Sequence, residues 1–223
     1  MPYPRVIQSA GLCLALIAWP ALVGAQQVAA GERPAAWEIE PYMGSARHSP
    51  GGRHLGSASG LRHVFAGVHI TAPILGWKHL TLAYAPELVP LLLVSDTPTY
   101  HTVTLQQTFT YRVPDGAKPV AGFGVSPVGF EGRVRFGSRV RLYVATATGI
   151  VMFSRATPVP DARSFNYTFE VGGGADYHVR QSWWLRVGYK FHHFSNANSA
   201  VENPGVDAKV LMIGVVRQIG RTR

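Results

Sequence analysis

The sequence is poor in cysteine and in charged residues, and both deficits narrow the range of folds and functions. A single Cys in 223 residues excludes an intrachain disulfide framework, and it also excludes cysteine-rich zinc and iron–sulfur sites. Charged residues make up 15% of the chain, well below the roughly 25% that is usual for soluble domains. Since 47% of the residues are apolar, the chain is expected to fold with a large core or an apolar exterior.

Long apolar runs are also missing, except at the N-terminus. Residues 1–25 combine a positively charged N-terminal part, an apolar segment and small residues before a cleavage site. This combination is typical of a secretory signal peptide. A membrane anchor is the alternative, but the segment is short for a span of about 20 residues and contains Pro20. Further on, the longest apolar run is Leu88–Val94, and Pro90 interrupts it. We therefore expect residues 26–223 to form a single exported domain.

Acidic residues are scarce relative to basic ones, with 12 against 21 and a net charge of +9. Such an excess predicts an anionic neighbour. Because the chain is expected to be exported, nucleic acid is not a partner that we predict. Anionic lipid or the phosphate of lipopolysaccharide fits better.

The exported part alternates between apolar and polar residues with a period of two, which predicts β-strands. We expect about eight strands, near residues 36–46, 61–72, 78–87, 119–131, 133–154, 164–179, 182–195 and 207–219. A break near Gly149 and the boundaries between residues 88 and 131 are left open. Thr102–Arg112 has the composition of a strand but is compatible with a loop.

Two all-β architectures fit this pattern: a soluble lipocalin-like barrel or sandwich, and an antiparallel transmembrane β-barrel of about eight strands. Low charge, abundant glycine and paired basic and aromatic strand faces favour the membrane barrel. The arginines at 133, 135, 139 and 141 would then fill a polar interior and pair with acids such as Glu38 or Glu170. One feature departs from this class, because the chain ends Ile219–Arg223 without a terminal aromatic residue.

One group of residues near the C-terminus could carry chemistry. His193 and Ser195 are two apart on a predicted strand, so their side chains lie on the same face. An imidazole beside a hydroxyl can activate a serine nucleophile. Asp207 follows an Asn-Pro-Gly turn, and a hairpin there would bring its carboxylate back to orient the imidazole. Asn196 offers a backbone N–H and a side-chain amide to a developing oxyanion.

The parity of the strand suggests where a substrate would lie. His193 and Ser195 lie on the same face of the predicted strand as four apolar residues, which are Leu185, Val187, Tyr189 and Phe191. His192 has the opposite parity, which predicts a residue of the barrel interior. If the apolar face meets lipid, the substrate lies in the bilayer. In an even-stranded barrel with periplasmic termini, the last hairpin turn is extracellular, so the site would face the outer leaflet.

The run from His193 to Ala197 resembles the His-x-Ser-Asn signature of outer-membrane lipid A deacylases, the PagL or acyloxyacyl hydrolase-like family. The Asn-Pro-Gly-Val-Asp run that ends at Asp207 resembles the turn before the catalytic acid of that family. The resemblance implies an eight-stranded barrel of the bacterial outer membrane that hydrolyses the ester-linked 3-hydroxyacyl chain at position 3 of lipid A. It implies Ser195 as the nucleophile, His193 as the general base, Asp207 as the acid and Asn196 in the oxyanion hole, with no metal or other cofactor.

The detailed resemblance covers about 30 residues, from Gly188 to Val216. The acid is Asp where the family pattern has the longer Glu, so Glu202 stays an alternative to Asp207. Two other readings of the chain also stay open: a non-enzymatic small outer-membrane barrel, porin-like or structural, and a soluble secreted lipid-binding barrel. The sequence leaves the oligomeric state open, including a homodimer.

Overall fold

The computed structural model describes residues 37–52, 54–77, 79–96, 100–104, 108–112 and 119–219. The predicted signal peptide, residues 1–25, lies outside this part of the chain. Within the described residues, no helix is long and apolar enough to cross a membrane.

The described residues form eleven strands and no helix. The strands are β1 (Trp37–Ala46), β2 (Leu61–Gly76), β3 (Leu80–Tyr84), β4 (Glu87–Asp96), β5 (Tyr100–Thr104), β6 (Thr108–Arg112), β7 (Val120–Phe136), β8 (Val140–Thr157), β9 (Arg163–Arg180), β10 (Trp183–Ser195) and β11 (Val206–Ile219).

The main sheet is antiparallel and closes on itself. Each strand from β7 to β11 pairs with the next, β11 pairs with β1, and β1 pairs with β2. Strands β3 and β4 lie one after the other between β2 and β7, so together they fill a single position in the ring. The ring therefore has eight strand positions, as the sequence predicted. Closure leaves no free sheet edge, which is the requirement for crossing lipid with strands.

The strand faces explain why the sequence alternates. Residues on one face of β10 and β11 are exposed and apolar, for instance Val187 at 48%, Leu211 at 61% and Ile213 at 55% exposure. Residues on the other face point into the ring and are buried. An apolar exterior of this kind accounts for the low charge of the chain.

Charged side chains in contact with one another fill one part of the interior of the ring, and buried apolar side chains fill another. The acids of the charged part are Glu38, Glu40, Glu87, Glu131, Glu170 and Asp176, and its bases are His69, Arg133, Arg141, Arg186, Lys190 and His192. The expected pairing of Glu38 is present, since it bonds both Arg133 and Arg141. In contrast, Arg135 and Arg139 are exposed beside the turn that joins β7 to β8 and do not fill the interior.

Arg186 is the centre of this network and is 1% exposed. Its guanidinium bonds Glu40 at 2.8 Å, Glu131 at 2.8 Å and Asp176 at 2.6 Å, and lies 3.8 Å from the centre of the Tyr143 ring. These partners come from four different strands. The network therefore connects strands that are not neighbours in the ring.

Arg186→Met keeps most of the side-chain volume but leaves three buried carboxylates without their shared cation. Losing one partner of a buried ion pair typically costs about 3–5 kcal/mol of unfolding free energy. Urea unfolding in lipid vesicles measures this loss. Arg180→Met is the matched control, because Arg180 is exposed on the neighbouring strand. Equal unfolding free energies of the two variants would contradict a structural role for the network.

The two ends of the barrel differ. At one end the strands are joined by short turns, such as 137–139 between β7 and β8 and 181–182 between β9 and β10. At the other end lie longer loops, such as 47–60 between β1 and β2 and 196–205 between β10 and β11. Both Trp37 and Ile219 lie at the short-turn end and pair with each other. His193, Ser195 and Asp207 lie at the loop end.

Some predicted strand boundaries were wrong. The expected strand 133–154 is divided between β7 and β8, because the chain turns at Gly137, whose φ is +63°, and pairs Phe136 with Val140. Gly149 lies inside β8 and does not break it. The region after residue 88, whose strand boundaries the sequence left undecided, contains β4. Pro90 lies in β4 at the point where the pairing register with β7 shifts.

The segment Thr102–Arg112, left between strand and loop, forms most of an antiparallel hairpin. Strand β5 pairs with β6 from Tyr100 opposite Arg112 to Thr104 opposite Thr108. This two-stranded sheet is separate from the main sheet and belongs to the connection between β4 and β7.

Candidate active site

The last hairpin places His193 and Asp207 directly opposite each other. In the register of β10 with β11 the two residues are Cα partners. Opposite residues of an antiparallel pair have Cβ atoms about 5 Å apart, within reach of a side-chain contact. The contact is made: His193 Nδ1 lies 2.8 Å from Asp207 Oδ1. The carboxylate therefore fixes the ring, and Nε2 is left for another partner.

The second oxygen of the Asp207 carboxylate is held by the loop between β1 and β2. Asp207 Oδ2 accepts hydrogen bonds from the backbone N–H of Leu55, at 3.1 Å, and of Gly56, at 2.9 Å. Both carboxylate oxygens thus have donors, and the side chain is fully buried. An acid held in this way keeps its orientation toward His193 without side-chain freedom.

Ser195 is the last residue of β10 and lies on the same face as His193. This is also the face of the exposed residues Val187 and Tyr189, so it is the outer surface of the barrel. The Ser195 hydroxyl makes no hydrogen bond to another described residue. Hydrogen bonds between catalytic groups are often long without substrate and tighten in the complex, so this geometry is compatible with a serine–histidine pair.

Asn196 is buried and organises the turn that follows Ser195. Its backbone N–H, which the sequence reading offered to an oxyanion, donates instead to Asn203 Oδ1 at 3.0 Å. Its Nδ2 donates to the carbonyl of Glu202 at 2.7 Å. One Nδ2 hydrogen remains, so the side-chain amide is the part of Asn196 that could still serve an oxyanion.

The alternative residues near the site have other environments. Glu202 lies in the turn, where its backbone N–H donates to the Asp161 carbonyl at 3.3 Å. His192 points inward, is 3% exposed and lies 2.6 Å from Glu170 through Nδ1. Of the two neighbouring histidines, His193 therefore lies on the outer surface, and its carboxylate partner is Asp207.

Sequence reasoning missed the contribution of the loop between β1 and β2, which it treated as a connection. Besides holding Asp207, this loop pairs with the last turn: Ser57 N–H donates to the Pro204 carbonyl at 2.6 Å, and Ala58 N–H to Gly205 at 3.2 Å. These contacts use backbone groups, which leave no residue-type signal. Gly56 alone could have given a hint, because a Cβ there would lie 2.8 Å from the Gly205 carbonyl.

No group of three or more potential metal ligands occurs in the parts of the chain that the structure describes. That the protein needs no cofactor stays a prediction from the sequence. The homodimer likewise stays untested.

Residues 90–216 match the family described as lipid A 3-O-deacylase (PagL), and this match spans more than half of the chain. The chain belongs to this family. Members of the PagL family remove an ester-linked acyl chain from lipid A, so the family is one of ester hydrolases. The match includes β10 and β11 as far as Val216, and therefore the paired His193 and Asp207.

Solved structures of outer membrane proteins resemble this chain at low sequence identity, and the fold is supported by the first of them. The crystal structure of the outer membrane enzyme PagL is 13% identical, with 79% of this chain and 97% of that chain covered and a TM-score of 0.52. Neisserial surface protein A is 14% identical over 84% of this chain and 100% of that chain, with a TM-score of 0.48. OprG from Pseudomonas aeruginosa is 10% identical over 85% and 98%, with a TM-score of 0.46. A search of the curated proteins finds no match.

Family and fold together make this PagL-family protein a β-barrel of the bacterial outer membrane, as the sequence predicted. In such barrels the short turns are periplasmic and the long loops extracellular. The hairpin with His193 and Asp207 thus has its turn at the extracellular end. The side chains of its outer face meet the outer leaflet of the membrane.

Proposed function

We propose that this protein is a serine esterase that removes the ester-linked 3-hydroxyacyl chain at position 3 of lipid A. The observation that carries the proposal is the 2.8 Å contact between His193 and Asp207 on the outer surface of the barrel, next to Ser195. Lipid A is the lipid of the leaflet that this surface faces. The family match supports the same substrate.

In the proposed mechanism, Asp207 holds the Nδ1–H of His193, so that Nε2 carries the lone pair that accepts the Ser195 proton. Ser195 Oγ attacks the ester carbonyl carbon while Nε2 takes the hydroxyl proton. The tetrahedral intermediate collapses, and the sugar oxygen leaves with the proton from His193. An acyl-serine remains, and the deacylated lipid is released.

Water completes the cycle. His193 Nε2 takes a proton from the attacking water, which adds to the acyl carbonyl carbon. The second tetrahedral intermediate breaks its bond to Ser195 Oγ, which takes the proton back from His193, and a 3-hydroxy fatty acid is released. The remaining amide hydrogen of Asn196 is the donor that we assign to the oxyanion in both steps. One such donor typically contributes about 3 kcal/mol to transition-state stabilisation.

The test is to incubate the purified protein in detergent with lipopolysaccharide and analyse the lipid A by mass spectrometry. We expect the loss of one 3-hydroxyacyl mass and the appearance of the free fatty acid. A fluorophosphonate, which traps activated serines, should stop the reaction and add its mass to the peptide that contains Ser195. An unchanged lipid A spectrum would overturn the proposal and favour a non-enzymatic barrel, whereas a label on another residue would exclude Ser195 as the nucleophile.

Gly56→Ala should lower kcat without unfolding the barrel. The added Cβ would lie 2.8 Å from the Gly205 carbonyl and push the loop away, so that Asp207 loses its backbone donors. Small displacements of catalytic groups can cost about 10- to 100-fold in rate. Gly76→Ala is the control, because nothing lies within 4 Å of a Cβ there. A kcat equal to that of the control would argue against a positioning role for the loop.

A further inference from the structure

Three basic side chains lie at the extracellular rim of the barrel, close to the proposed site, and are exposed: Arg47, Arg62 and Lys209. On β11, Lys209 shares the outer face with the apolar Leu211 and Ile213. On β2, Arg62 shares the outer face with Val64, which is 43% exposed. A charged side chain on a surface that meets lipid destabilises a barrel by about 2–4 kcal/mol at the bilayer midplane and by less near the interfaces.

Arg47 is the first residue after β1, and the pairing registers, extended past the end of this strand, place the three residues side by side. The pairing of β1 with β11 reaches Ser45 opposite Leu211, so two residues further on Arg47 comes next to Lys209. The pairing of β1 with β2 ends at Ala46 opposite His63, so Arg47 also comes next to Arg62. Since adjacent strands are about 4.8 Å apart, the three form one row across β2, β1 and β11.

This row begins beside the proposed triad. Lys209 and Asp207 are two residues apart on β11, which is about 7 Å along a strand. Lys209 is also the Cα partner of Phe191, which lies two residues from His193. The loop that starts at Arg47 returns to this place, because the ring of His54 packs edge-on against Phe191 with 5.7 Å between ring centres.

None of the three bases forms an ion pair with an acid among the described residues. The contrast with the barrel interior is clear, because Arg133, Arg141, Arg186 and Lys190 are all paired there. Asp207, two residues before Lys209 on β11, has its two carboxylate oxygens engaged by His193 and by the loop. Among the described residues, the row is therefore a cationic surface without an ion-paired acid.

On the other side of the site, strand β9 presents an apolar aromatic surface. In the register of β10 with β9, Ser195 faces Tyr167 and His193 faces Phe169. Tyr167 is 52% and Phe169 41% exposed. The site thus lies between a cationic surface on β11, β1 and β2 and an apolar aromatic surface on β9.

We propose that Arg47, Arg62 and Lys209 bind a phosphate of the lipid A molecule that is being deacylated, while its acyl chain lies along Tyr167 and Phe169. This inference rests on the proposed function and adds the orientation of the substrate. A molecule held at both ends presents one ester to Ser195. The row acts in substrate binding and not in proton transfer, so its loss raises KM and leaves kcat nearly unchanged.

The test compares two substrates in detergent: lipid A with its phosphates, and the same lipid A after enzymatic removal of the phosphates. The parent protein should show a lower KM for the phosphorylated lipid. Lys209→Gln should raise that KM about tenfold, the size of one charge-assisted hydrogen bond, and Arg47→Gln with Lys209→Gln should raise it further. The KM for the dephosphorylated lipid should stay the same in all variants.

Arg217→Gln is the matched control, because Arg217 is exposed on the same face of β11 at the periplasmic end. It should leave both KM values unchanged. If the parent is active but Lys209→Gln alters neither KM, or alters both equally, the phosphate site is overturned while the esterase stands. If the parent cleaves neither lipid, the proposed function itself fails.

Discussion

Ser195→Ala is expected to abolish release of the 3-hydroxy fatty acid, leaving a rate at least about 10⁴-fold below that of the parent protein. The reason is that the acyl-serine cannot form without the Ser195 hydroxyl. Mass spectrometry of lipid A from cells that express each protein measures the result directly. The parent should remove one acyl mass and the variant none.

Ser138→Ala serves as the control for this experiment. Ser138 is exposed in the periplasmic turn between β7 and β8, far along the barrel from the site. It should deacylate like the parent. Both variants must reach the outer membrane and show the heat-dependent gel mobility of a folded barrel. Deacylation by folded Ser195→Ala would rule out Ser195 as the nucleophile.

Asp207→Asn should lower kcat by up to about 10⁴-fold while the barrel stays folded. The amide has the size of the carboxylate, but it cannot stabilise a positively charged imidazole, and its NH₂ favours the wrong tautomer of His193. The two loop donors at Leu55 and Gly56 would also lose part of their charge-assisted bonding. Single-turnover kinetics with saturating enzyme separates this loss from any change in binding.

Two further variants decide which acid belongs to the site. Glu202→Gln should leave kcat within about twofold of the parent, because the carboxylate in contact with His193 is that of Asp207. Asp207→Glu supplies the longer acid of the family pattern and should keep most of the activity that Asp207→Asn loses. A large loss in Glu202→Gln together with an active Asp207→Asn would transfer the role to Glu202.

The fold class could be predicted because alternation of residue type is a local property. On β10 and β11 most residues of the outer face are apolar and exposed, such as Val187, Leu211 and Ile213, and most residues between them are buried. Strand ends were harder, because a two- or three-residue turn interrupts the alternation only briefly. The turn at Gly137 was missed in this way, and β4 was obscured by Pro90.

The sequence by itself determined the type of barrel and the hairpin on which the candidate site lies. The reason is that His193, Ser195 and Asp207 are close in the chain, and strand parity with one turn relates them. Only the tertiary structure brought the loop containing Leu55 and Gly56 to Asp207, about 150 residues away. It also brought Arg62 on β2, Arg47 at the end of β1 and Lys209 on β11 next to one another through closure of the ring. Backbone donors carry no side-chain signal, and ring closure is a global property, so no local pattern could have shown either.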